Sequence, residues 1–154
     1  MTRSKTSAFV LAISLGLASY ASFAQETTAK VQTPQPWTYK TKQLKRADID
    51  SLLAQADKVV VIDVRRPDEL VTKGGFPVYL SIQAKDLEQN LAYIPKDRAI
   101  VTVSNHAHRA GAAGDLLSSK GYKVAGAAGS EDYEAEGGKI TRIAAPAQKT
   151  AAAN

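Results

Sequence analysis

The stretch from Val59 to Val64 (Val-Val-Val-Ile-Asp-Val) constrains this 154-residue chain more than any other. All but Asp63 are β-branched, and there is no polar alternation that would leave a face to water. Such a run predicts a strand covered on both sides, as in parallel sheets. Ala99–Val103 repeats the pattern. Helix-like segments, and no hairpin turn, separate these runs. Arg46–Ala56 carries Ile49, Leu52 and Leu53 on one face. Pro67 opens a short helix with Asp68 and Glu69 in its first turn, which Gly74-Gly75 ends. An α/β domain with a mostly parallel central sheet and helices on both faces is therefore expected.

The remaining elements follow from local pattern. Trp37–Thr41 predicts a short edge strand, Phe76–Ile82 a strand and Asp86–Tyr93 a helix. Arg109–Lys120 predicts a helix closed by Gly121, Val124–Ala127 a strand, Asp132–Glu136 a short helix and Ile140–Ile143 an extended piece. The Gly111-Ala112-Ala113-Gly114 run predicts close packing of its helix on the sheet.

Ligands of such sheets bind at the carboxyl ends of the strands. Asp63-Val64-Arg65 and the loop Ser104-Asn105-His106-Ala107-His108-Arg109 both fall there. Strand, tight loop and helix N-terminus together aim backbone N–H groups at one spot, which favours an anion. Arg109 adds a cation, and no acid lies between Ser104 and Ala110. Ser104, Arg109, Arg65 and Asp63 are thus the candidate ligand-binding residues. A second reading makes Ser104 a nucleophile with His106 and His108 beside it, or has the two histidines share a metal. That reading needs an orienting carboxylate or third ligand from elsewhere, with Asp63, Asp68 and Glu131 as candidates. No cofactor motif is present.

Residues 1–24 read as a secretory signal peptide: Arg3 and Lys5, the apolar run Ala8–Ala18, then Ser22-Phe23-Ala24 as a cleavage pattern. The apolar run is shorter than the ~20 residues that span a bilayer. Periplasmic or secreted localisation follows, with no membrane association after cleavage. The formal charge of +5 falls to +3 once Arg3 and Lys5 leave. The remaining basic residues are scattered without aromatic striping, which argues against nucleic acid. Residues 25–36 read as a flexible leader, 37–145 as the folded domain and 146–154 as a disordered tail. The chain has no cysteine, so disulfides, zinc thiolates and thiol nucleophiles are excluded.

Several motifs in order resemble the rhodanese (sulfurtransferase) domain family. They are Ile62-Asp63-Val64-Arg65 with Glu69, the Leu91–Asp97 lead-in to the Ile100–Val103 strand, and Leu116-Leu117 with Gly121-Tyr122. Ala128-Gly129 with Tyr133 and Gly137 completes the set. The resemblance implies the rhodanese-like fold, with Asp63 bonding loop backbone and Arg65 pairing with Glu69. It also implies an active loop of the form Cys-Arg-x-Gly-x-Arg carrying a persulfide. Here the loop keeps its length and its closing Arg109, but Ser104 stands at the nucleophile position and Ala107 at the glycine. The family's Gly-His-Ile-Pro-Gly-Ala segment reads Gly74-Gly75-Phe76-Pro77-Val78-Tyr79. A serine hydroxyl cannot carry sulfane sulfur. The expectation is a homologue inactive in sulfur transfer, serving as an anion-binding or protein-interaction module with a small anion or a periplasmic protein as partner.

Overall fold

The computed structural model describes residues 35–142. The expected signal peptide, most of the leader and the expected tail lie outside the described residues. Four strands, β1 (Val59–Asp63), β2 (Leu80–Ser81), β3 (Ala99–Ser104) and β4 (Val124–Gly129), form one sheet in the order β2-β1-β3-β4. Every strand pair is parallel. The helices are α1 (Arg46–Leu53), α2 (Pro67–Lys73), α3 (His108–Ser119) and α4 (Ser130–Ala135). Both faces of the sheet are covered, as the unalternating runs require. Val59, Val61, Val101 and Val103 pack with Ile49 of α1 and Tyr133 of α4. On the other face Ile62, Val64 and Ile100 pack with Ala113 and Leu117 of α3. The Tyr133 hydroxyl donates to Asp50 Oδ1 at 2.6 Å and ties α4 to α1.

Three local expectations give way to tertiary contacts. Trp37–Thr41 does not form an edge strand; it crosses α3 as a strap. The Asp115 carboxylate accepts the backbone N–H of Lys40 and Thr41 and the Thr41 hydroxyl, at 2.7–3.1 Å. The chain meets the sheet only at Gln43, in an isolated bridge to Ala127. The glycines of α3 serve this strap and not the sheet. A Cβ at Gly111 would lie 2.5 Å from the Tyr39 ring, and one at Gly114 would lie 2.6 Å from Thr41.

The region expected to be a helix at Asp86–Tyr93 is two 3₁₀ segments, Ala84–Asp86 and Glu88–Tyr93. Two carbonyls there accept side chains: Asp86 O from Asn90 Nδ2 and Leu91 O from the Tyr122 hydroxyl. Bonds of this kind compete with the α-helical ladder.

The strand expected over Phe76–Ile82 shrinks to Leu80–Ser81. Gly75 is held by an antiparallel bridge to Thr141, and Phe76 turns into the core against Tyr133, ring centroids 5.1 Å apart. Pro77 has no N–H to offer a ladder. The chain peels away and rejoins β1 only opposite Ile62.

The strap contact yields a test. In an ordinary helix Gly→Ala stabilises by about 1 kcal/mol. At Gly114 the added methyl collides with the buried Thr41, and such overpacking costs about 1–3 kcal/mol. Gly114→Ala is expected to lower the melting temperature by several degrees. A rise on calorimetry would show that the strap does not press on α3.

Candidate functional site

Asp63 and Arg65 end β1, and the Ser104–Arg109 loop leaves β3 beside it. The two side chains at the end of β1 form a buried ion pair, 1% and 0% exposed. Arg65 Nη2 donates to Asp63 Oδ2 at 2.7 Å and Nε to Asp63 Oδ1 at 2.9 Å. The guanidinium also donates to the Gly74 carbonyl at the end of α2 and, from Nη1, to Asn105 Oδ1. Arg65 therefore pairs with Asp63, not with Glu69 as expected. A buried arginine just past the strand end needs its own counter-charge there, and the carboxylate two residues before it supplies one. Of the backbone contacts expected for Asp63, the bond is to the N–H of Arg65 itself.

Glu69 instead reaches across to the loop. Its carboxylate takes both ends of the Arg109 guanidinium, at 2.6 and 2.9 Å, and the Asn105 amide at 2.8 Å. Asn105 thus links the buried pair to the outer one. Sequence reading places Glu69 as a first-turn acid on its own helix and as the expected partner of Arg65, and the stretch Ser104–Ala110 holds no acid. The fold supplies one from α2. Arg109, with its two hydrogen bonds, holds the Glu69 carboxyl down to about 2, against an ordinary value of 4.5. The same contact raises Arg109.

Ser104 is 1% exposed, and its Oγ accepts the N–H of Ala110 at 3.1 Å. Ala107, fully buried, takes the left-handed conformation (φ 61°) that a glycine would adopt without strain.

The two histidines part company. His106 is exposed, with Nδ1 2.9 Å from Asp132 Oδ1 and Nε2 3.2 Å from Glu131 Oε2. Lys73 pairs with the same Glu131. His108 packs its ring against Trp37 and Tyr39, with centroids 5.6 and 5.8 Å away. They do not converge, and among the described residues no group of three metal-ligating side chains forms. Glu131 was a candidate to orient a histidine and does reach His106; Asp68 pairs with Arg66 instead. Asp132 carries no signal in the sequence beyond its place in a short helix. Both His106 nitrogens lie against carboxylates, and the hydrogen bond that Ser104 Oγ makes is to the Ala110 N–H.

The Glu69–Arg109 contact predicts a pH dependence. A carboxyl depressed in the folded state adds stability above its unfolded value, near 4.5, and loses it as pH falls through about 2. Arg109 is partly open to solvent, so the contribution at neutral pH is set at about 2 kcal/mol. Glu69→Gln is expected to be less stable by that amount at pH 7, the gap to wild type narrowing below pH 4.5. Urea unfolding at pH 7 and pH 3 checks it; a gap independent of pH would refute the ion pair.

No protein-family model matches the sequence, and no curated protein matches it. Solved structures do. The chain is similar to a rhodanese-related protein from Thermoplasma volcanium, with 25% identity over 66% of this chain and 99% of that one, at a TM-score of 0.56. It is also similar to a rhodanese-like domain protein from Staphylococcus aureus (19% identity, 67% and 99% coverage, TM-score 0.56). A third match, at 22% identity, 71% and 99% coverage and TM-score 0.56, is a Rhodopseudomonas palustris protein of unknown function described as a possible tyrosine phosphatase. With four parallel strands, helices on both faces and the Ser104–Arg109 loop at the strand ends, the chain has the rhodanese-like fold, and it contains no cysteine.

Proposed function

We propose that this chain is an exported rhodanese-like domain that does not transfer sulfur and acts by binding a protein partner in the periplasm or outside the cell. The observation that carries the reading is the state of the loop. Its hydroxyl is buried and already accepts a backbone N–H, and its cation is committed to Glu69. A small anion would have to displace a carboxylate held by two short hydrogen bonds, so the protein-interaction form of the module is favoured over the anion-binding form. Export rests on the composition of residues 1–24, and intact mass of the exported protein is expected to correspond to a chain that starts at Gln25.

Thiosulfate-to-cyanide transfer by the natural protein is expected to be indistinguishable from buffer, and Ser104→Cys is expected to give at most feeble turnover. The restored thiol would sit where Ser104 is 1% exposed, with Asn105 in place of the family's second cation. Robust transfer by the natural protein would sink the reading. Sulfate and thiosulfate, at constant ionic strength, are expected to leave the melting temperature unchanged. A rise that Arg109→Ala abolishes would establish the anion cradle instead.

A further inference from the structure

A cavity of about 580 Å³ lies away from the loop, at the opposite end of β1. It exists because β2 is short. β2 pairs with β1 only at Ile62 and Asp63. Val64 donates its N–H to Val103 O, toward β3, whereas Asp63 O accepts from Ile82 on the outer side. Strand alternation then turns the backbone groups of Val59 and Val61 outward as well. Among the described residues no strand lies beside them, so β1 presents an open edge inside an apolar groove.

The walls suit a chain laid along that edge. Val78 is 79% exposed, Tyr93 76% and Leu80 38%, three of the four exposed large apolar side chains among the described residues. Arg98 lines the same groove, at the end where Ala99 is in register with Val59. Among the described residues it has no ion-pair or hydrogen-bond partner, in a protein where Arg65, Arg66, Arg109 and Arg142 all have carboxylates.

We infer that this groove binds an extended apolar segment of a partner protein, which adds as a strand to the free edge of β1 and places a carboxylate on Arg98. The inference rests on the binding part of the proposed function and adds the surface and the chemistry of the partner. Backbone bonding to Val59 and Val61 supplies the affinity of such strand addition, and side-chain pockets supply the specificity. Charge complementarity at Arg98 sets which end of the segment lies near Val59.

The test uses the purified chain and a fluorescein-labelled peptide, Ser-Val-Thr-Val-Thr-Val-Glu, with a free carboxyl terminus. Fluorescence anisotropy is expected to show saturable binding. A version ending in Gln amide is expected to bind at least fivefold more weakly, and Arg98→Gln to erase the difference between the two. A peptide with proline at its centre is expected to lose at least tenfold, as is Val78→Asp, an exposed change that leaves the core untouched. Amide exchange at Val59 and Val61 is expected to slow when the peptide is added. Absence of binding at millimolar peptide, or equal binding of the proline peptide, would overturn the inference. So would a dimer in sedimentation that Val78→Asp dissociates, because a second copy would then occupy the edge. Any of these results leaves the sulfur-transfer assay, and the reading of the loop, where they stood.

Discussion

A buried ion pair, Asp63 with Arg65, holds the functional end of this sheet together. Both groups are out of water, and desolvation of that size is offset only when nearly every donor and acceptor is used. Arg65 meets the condition: its guanidinium donates to Asp63, to the Gly74 carbonyl and to Asn105. Each bond fixes a different element relative to β1, namely the strand end itself, the exit of α2 and the loop after β3. The pair is therefore better understood as a positioning device than as a source of net stability. Removing one partner would leave an uncompensated charge in the core, and losses in such cases run to about 3–5 kcal/mol.

Asn105 extends the network outward and decides the character of the loop. As a neutral amide it can accept from Arg65 with its oxygen while donating to Glu69 with its nitrogen. A cation at the same position could not accept from Arg65. The neutral bridge draws Glu69 over the loop, and Glu69 in turn takes Arg109. Ser104 below is left with a backbone partner only. The absence of a thiol and the closure of the loop by its own charges are thus consistent with one another: nothing in this network needs an open cradle.

The buried strands, their parallel order and the two carboxyl-terminal loops were legible in the sequence, because unbroken β-branched runs and the 3.6-residue pattern report burial directly. Placement of Asp63, Arg65 and the Ser104–Arg109 loop at one end of the sheet followed from topology. Pairing did not. Glu69 and Arg109 are brought together by the fold, and nothing in either local pattern distinguishes Glu69 on Arg109 from Glu69 on Arg65. The Glu131–Asp132 clamp on His106 was half visible, because an acid at a helix start has an obvious local role and no obvious distant one. The α3 glycines were read correctly as a close approach but assigned to the wrong neighbour, since a strap and a sheet ask the same thing of a helix surface.

The misread strand at Phe76–Ile82 has the largest consequence. The apolar residues of the segment predict a full strand, but Phe76 is buried against Tyr133 and Gly75 finds its hydrogen bonds with Thr141. Two backbone bonds and a buried ring outweigh a few parallel ladder bonds that Pro77 would interrupt. At the carboxyl end of the sheet Asp63, Arg65, Asn105, Glu69 and Arg109 bond to one another, whereas the amino half of β1 keeps outward backbone groups, exposed apolar side chains and an arginine without a partner among the described residues. Open edges are ordinarily blunted by charge, proline or cover, because they invite unspecific pairing. This one lies in a groove that Arg98 also lines, with no proline in β1 and no strand beside Val59 and Val61 among the described residues.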